Sequence, residues 1–430
     1  MQSALIIGII TIIVFISSVI FIPSVSLKGK RVKIYPIVPI LGALCMIMAK
    51  VIPFGRVIES FLENTSVNPI KILVLFLSMT VFSLILEQTG FFSYASSYVL
   101  RKAGKSQYKI FIELYCVISL LTVFTSNDIV ILTFTPFICY FSRSAKINPI
   151  PYLIMEFVAA NTWSLLLMIG NPTNIYISSS FEIGFVEYFK AMVIPTVAAG
   201  LSSLLIMLLL FGKSLKKDID STVEQIKLGD KPLMIISIVH LLICVLSLAI
   251  SQYLGLEMWL ISFVCAISEI VCSLICLRIR RKEAFLVWHG LGSMPFEIIP
   301  FIIGMFVIVL ALDHVGITAL IADHISSSDK LISYGYLSFF SSNVLNNIPM
   351  SVFFSKIIAA DVGIEQIYAT IAGSNLGAFI TPVGALAGIM WMNLLKQNSV
   401  ELSVKKFVFY GFIIGVPSMT AVILSMKLLF

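Results

Sequence analysis

The sequence predicts an all-helical polytopic membrane protein made of two inverted repeats. Each repeat has five transmembrane helices, one of them broken, and a re-entrant hairpin. Three observations predict this. Of 430 residues, 59% are hydrophobic and 12% charged, whereas a soluble domain is about 45–50% apolar and about 25% charged. The apolar residues gather in runs of around twenty, the length that crosses a bilayer. Two polar motifs, "TSNDIV" (125–130) and "SSNVLN" (341–346), interrupt apolar passages at corresponding places in the two halves.

The first repeat covers 1–211. Runs 4–23, 34–53 and 69–87 open it. The stretch from Leu5 to Ile22 has no basic residues before it and no small-residue cleavage site after it, so it reads as a retained helix rather than a signal peptide. Segment 107–142 is apolar at both ends and polar in the middle, which predicts a hairpin. The run 150–180 carries "GNPTN" (170–174) and predicts a broken helix; 189–211 closes the repeat. The polar segment 212–231 is the linker. Runs 232–253, 256–279 and 295–312 open the second repeat, 232–430. Its hairpin is 331–357, its broken helix is 365–395 around "ITPVGA" (380–385), and 404–428 closes it. A third landmark pairs "YFKAMVIPT" (188–196) with "FVFYGFIIGVPS" (407–418).

Charge sets the orientation. The loops 28–33 (Lys28, Lys30, Arg31, Lys33), 101–109 (Arg101, Lys102, Lys105, Lys109) and 278–282 (Arg278, Arg280, Arg281, Lys282) are basic, as is the linker. The positive-inside rule places them in the cytoplasm. Segment 107–142 starts there and, with Arg143 and Lys146 after it, ends there. Segment 331–357 is flanked by Asp313, Asp323 and Asp329 before and by Asp361 and Glu365 after, so it enters from outside. An odd number of spans per half inverts the second half and leaves both termini outside the cell membrane. The net charge of +7 speaks to topology and anionic headgroups, not to nucleic acid.

Non-helical backbone at membrane depth is tolerated where it is buried in protein or lines a wet cavity. Tips and breaks placed together aim half-helix ends at one point. The predicted site therefore takes Ser126, Asn127 and Asp128 from the first tip, and Ser342, Asn343, Asn346 and Asn347 from the second. Gly170, Asn171, Thr173 and Asn174 come from the first break, Thr381 and Gly384 from the second, with Pro172 and Pro382 holding the breaks open. Amide and hydroxyl oxygens suit a hydroxylated solute or a hard cation, such as sodium at Ser126, Asn127, Ser342 and Asn343. Asp128 is the acid at a tip and the expected proton carrier; its plainer role is to cap the second arm.

Other polar residues read as structural. Glu113 and Glu156 lie about 18–21 Å of helix from their breaks, which puts them near the cytoplasmic surface, where snorkelling explains them. His240 reads as a packed partner, and Glu269 has no role assigned. The seven cysteines form no CxxC pair; Cys265, Cys272 and Cys276 share a helix face and serve packing. No metal centre or organic cofactor is expected. Both "GKS" tripeptides lack the first glycine of a phosphate loop. An intramembrane enzyme would need HExxH or a GxSxG elbow, and neither is present.

At the tips and breaks the chain resembles the ion transporter superfamily, closest to the arsenite/antimonite permeases (arsenical pump membrane proteins). "SNDIVILTFTPFI", "VLNNIPMSVF", "GFVEYFKAMVIP" and "YATIAGSNLGAFITPVGALAGIMWMNLL" carry the resemblance, over about 107–211 and 331–428. "GNPTN" and the paired Ser-Asn tips are similar to the sodium-coupled dicarboxylate and sulfate symporters. Where the permeases carry Cys-Asp, this chain has Ser374-Asn375. The resemblance implies an inverted-repeat fold, a homodimer, an elevator-type movement of the hairpin-bearing domain, and export of arsenite or antimonite driven by a proton or sodium gradient. Sodium-coupled uptake of an inorganic anion or dicarboxylate is the alternative. A soluble ATPase docking on the linker is a further partner within the resemblance.

Overall fold

The computed structural model describes the whole backbone except residues 22–23, 28–29, 65–67, 217, 220–228, 326–328 and 361. It also leaves undescribed the side chains of 20–21, 24–27, 30–32, 96, 99–103 and 252–253. Much of the linker 212–231 thus lies outside the described residues, as do Lys28, Asp361 and the side chains of Lys30, Arg31, Arg101 and Lys102.

In chain order, α1 (Gln2–Phe21) leads through a short antiparallel ribbon, β1 (Ser24–Leu27) and β2 (Lys30–Lys33), to α2 (Ile37–Met48) and α3 (Phe54–Leu62). Then follow α4 (Pro69–Gln88), α5 (Phe91–Ala103), α6 (Gln107–Phe124), α7 (Asn127–Ser144) and α8 (Ile150–Trp163). A 3-10 turn, Met168–Gly170, separates α8 from α9 (Pro172–Ser180), and α10 (Phe185–Leu215) runs past the expected start of the linker. The second half has α11 (Lys231–Leu254), α12 (Met258–Ile279), α13 (Phe285–Gly292), α14 (Ile298–His314) and α15 (Ile317–Ile325). It continues with α16 (Lys330–Leu345), α17 (Asn347–Ile358), α18 (Ile364–Leu376), a 3-10 turn at Gly377–Phe379, α19 (Leu386–Gln397) and α20 (Val404–Lys427).

Seven helices among the described residues are long and apolar enough to cross a membrane; α14 and α15, bent by 74° at their junction, make an eighth span if counted as one. The protein is thus a multi-pass membrane protein. The run 34–53 is not one long helix. It holds the 12-residue α2, which ends at Met48 where Lys50 turns left-handed (φ 54°), and Pro53 then precedes α3.

The tips and breaks are built as helix starts. The Ser126 hydroxyl accepts from Asp128 N (3.2 Å) to cap α7, and Asn171 Oδ1 accepts from Thr173 N (3.1 Å) to cap α9 with Pro172 in its first turn. Asn346 Oδ1 accepts from Ile348 N (3.4 Å) at the start of α17. Each satisfies a donor that a helix N-terminus leaves open.

Packing repeats between the halves. Helix α6 lies on α8 as α16 lies on α18, and α7 touches α8 as α17 touches α18. The two halves also exchange elements: α19 packs on α7, α9 packs on α17, and α10 runs against α20. Apart from these, α2 packs on α14 and α4 on α12, with α1 and α11 beside α2 and α12.

The start of α11 is pinned by charge. Asp230, whose side chain is 3% exposed, accepts from Arg280 Nη1 (2.5 Å), Lys282 Nζ (2.8 Å) and Leu233 N (3.3 Å). Burial works against the charge, but the Arg280 guanidinium and the Lys282 ammonium outweigh it and hold the carboxyl down at about 2. The folded state therefore gains stability above the ordinary carboxylate range and loses it as pH falls from about 4 to about 2. Thermal melts should show that acid-side loss in the wild type but not in Asp230→Asn, which starts about 2 kcal/mol less stable at pH 7.

Candidate functional site

The first break and the end of α18 form one buried network. Asn375 Oδ1 accepts from Ser164 Oγ (3.0 Å) and Asn171 Nδ2 (3.0 Å); Asn375 Nδ2 donates to Asn174 Oδ1 (2.6 Å) and to Ile371 O (2.9 Å). Thr173 Oγ1 and Ser374 Oγ share a hydrogen bond of 2.9 Å. Asn174 Nδ2 donates back to Ser164 O (2.8 Å), closing the loop around the 3-10 turn. All six side chains are buried. Gly170 is required here, since a Cβ would collide with Ser164 O.

The first tip joins this network through α8. Asn127 Nδ2 donates to Asn161 Oδ1 (3.1 Å), and Ser164 Oγ lies 3.0 Å from Asn161 O. Asp128 sits in the first turn of α7, where the helix dipole favours a negative charge. Its backbone N–H donates to Ser126 Oγ and Asn127 Oδ1, so Ser126, not Asp128, caps the arm. The Asp128 carboxylate makes no side-chain hydrogen bond or ion pair among the described residues. It lies within electrostatic reach of Glu297, which is itself paired with Lys33.

The second tip closes on the second break. Asn343 Oδ1 accepts from Thr381 N (2.9 Å) and Thr381 Oγ1 (2.8 Å), and Asn343 Nδ2 donates to Gly377 O (3.0 Å). Asn346 Nδ2 donates to Val383 O (2.9 Å), and Asn347 N to Gly384 O (2.9 Å). Ser342 is buried, its hydroxyl on Phe339 O. Asn346 holds φ 71°, ψ 149°, a conformation that suits glycine and costs other residues about 1–3 kcal/mol. Asn347 Oδ1 is buried without a partner among the described residues. Because Gly377 lies two residues after Asn375, a continuous polar seam runs from Asn127 to Asn343.

One end of the seam is open. A cavity of about 1010 Å³ reaches from the loop after α19 down to Asn343, Thr381 and Pro382, bounded by Ile16 of α1 and by Met392 and Lys396 of α19. Every predicted site residue thus lies at a tip or break, but the seam's centre is Asn161, Ser164, Ser374 and Asn375, which the motif reading left out of the site. The signal for two of them was the contrast between Ser374-Asn375 and the permeases' Cys-Asp.

Glu156 corrects an expectation. It is not at a surface but fully buried, bonded to Thr135 of α7 (2.8 Å) and Trp391 of α19 (3.4 Å). The residue count overstated the helix between Glu156 and the break, since α8 ends at Trp163, and the partners that enclose it come from α7 and, in the other half of the chain, from α19. His240 is packed as expected, between Ile236 O and Ser268 Oγ.

Comparison with known proteins gives the family. The citrate transporter family (CitMHS) matches residues 12–372. The chain belongs to that family. It is a secondary transporter, not an enzyme. Similar relatives include the arsenical pump membrane protein of Escherichia coli (strain K12), 26% identical over 372 residues and covering 82% of this chain and 85% of that one. The putative arsenical pump membrane protein of Bacillus subtilis (strain 168) is 22% identical, covering 77% and 81%. Among solved structures, the YdaH transporter of Alcanivorax borkumensis matches with TM-score 0.58 at 12% identity, covering 100% of this chain and 97% of that one. At that identity the match speaks for the fold alone.

Proposed function

We propose that this family member exports a small neutral oxyacid, arsenite or antimonite, using the proton gradient. Two inverted repeats would work as an elevator against a static scaffold, with both termini outside. The observation that carries the reading is the seam. It offers amide and hydroxyl groups throughout, and no lysine or arginine bonds to it among the described residues. A neutral trihydroxide needs only such partners. The names of the relatives point the same way, and the matched packing of the two halves supports the repeat. The cavity ending on Asn343 and Thr381 supports alternating access, since it lies between α1 and the elements that carry the tip.

The family description and the helix N-termini of α7, α9 and α17 favour a second reading, sodium-coupled uptake of an anion such as citrate. Proteoliposome flux separates the two. Arsenite should move when a pH gradient is imposed and remain still under a sodium gradient alone. Sodium-driven citrate or sulfate flux with no arsenite movement would replace the first reading by the second.

A further inference from the structure

We propose that Glu156 is a second proton-binding group of the transporter, set behind the substrate seam on the side of the open cavity. The proposal rests on the proton-driven reading above. Glu156 lies five residues before Asn161 on α8, about 7.5 Å along the axis. Its carboxyl is enclosed by α7, α8 and α19, with no exposed surface and no ion pair among the described residues. A buried charge without a countercharge is costly.

The partners are suited to a group that changes protonation state in place. A threonine hydroxyl can either donate or accept, whereas an indole N–H can only donate. With Glu156 ionised, both Thr135 and Trp391 donate to it. With Glu156 protonated on Oε1, that oxygen donates to Thr135 Oγ1 while Oε2 still accepts from Trp391. No side chain has to move between the two states. Of the titratable groups on the helices around it, Cys139 on α7, one turn from Thr135, feels the Glu156 charge. Arg143 of α7, Lys396 of α19 and Lys405 and Lys406 of α20 make no contact with it. On α19, Trp391 turns inward to Glu156 while its neighbours Met392 and Asn393 line the cavity, so one helix separates the acid from the open side. Thr135 comes from one half of the chain and Trp391 from the other, so a change of charge here bears on the joint between them.

The test uses the full-length protein in proteoliposomes, with arsenite as the probe. Glu156→Gln keeps the neutral acid's hydrogen bonds, its oxygen facing Trp391 and its amide donating to Thr135, but binds no proton. It should lower pH-gradient-driven arsenite flux at least 10-fold and leave arsenite exchange within about 2-fold of wild type. Wild-type gradient-driven flux in Glu156→Gln overturns the proposal, and so does equal loss of exchange. Infrared difference spectra between high and low pH give a reading that needs no solute. A carboxylic C=O band should titrate in the wild type and vanish in Glu156→Gln; an unchanged spectrum overturns the assignment. Absence of pH-driven arsenite flux in the wild type would fail the proposed function alone, and the spectra would still decide Glu156. If Glu156→Gln does not fold, Thr135→Val carries the test: it should shift the pH at which the band changes, and an unshifted band overturns the proposal.

Discussion

Asn375→Ala should abolish transport and lower the melting temperature of the purified protein. Asn375 accepts from Ser164 and Asn171 and donates to Asn174. Truncation leaves Asn171 and Asn174 buried without that partner, and each polar group left dry costs about 1–3 kcal/mol. The loss also removes the Asn375 bridges between the first break and α18 and leaves the Thr173–Ser374 hydrogen bond to hold the two halves of the seam together. Asn375→Asp keeps both acceptor roles and loses the donations to Asn174 and to Ile371 O, so it should melt between wild type and the alanine variant. Thermal melts in detergent and flux in proteoliposomes give the two readings. A melting temperature and flux equal to wild type in Asn375→Ala would remove Asn375 from the site.

Asp128→Asn should separate the two coupling ions. Its carboxyl is not needed to cap α7, because Ser126 does that, so asparagine preserves the tip. If protons drive transport through Asp128, the variant should lose pH-gradient-driven flux at least 10-fold and keep solute exchange. If sodium does, the variant should show weaker sodium affinity, and excess sodium should restore flux. Full pH-gradient-driven flux in Asp128→Asn would end the proton role of this residue. Comparison with Glu156→Gln then tells whether one acid or both must titrate.

Much of this protein could be read along the chain, because its constraints are local. A proline and an asparagine cap in the middle of an apolar run can mean little else than a helix break, so "GNPTN" and both tips were found where the helices start. The partners of those breaks were not local. Asn375 and Ser164 sit within helical or turn segments whose neighbours are apolar, and a single asparagine there reads as glue between helices. Only the fold brings them within 3.0 Å. Glu156 failed for the same reason: counting residues from the break says nothing of what lies beside it, and Trp391 is supplied by the second half. The run 34–53 differed because hydropathy averages over the turn at Ala49 and Lys50, where the backbone goes left-handed and α2 has already ended.

The exchange of elements between halves also bears on how the chain is made. Helix α7 ends at Ser144, yet α19, which packs against it, begins only at Leu386. At roughly 5–20 residues per second of synthesis, tens of seconds separate the two. Throughout that interval the Asn127 tip and the Glu156 carboxyl are in the membrane without the C-terminal residues that later enclose them. Polar groups in lipid do not stay unpaired, so the nascent first half must be sheltered, by the insertion machinery or by water drawn in around it, until α19 has been made. Biogenesis of this transporter therefore waits on α19, and a ribosome that stalls before it leaves behind a first half that cannot complete its own interior.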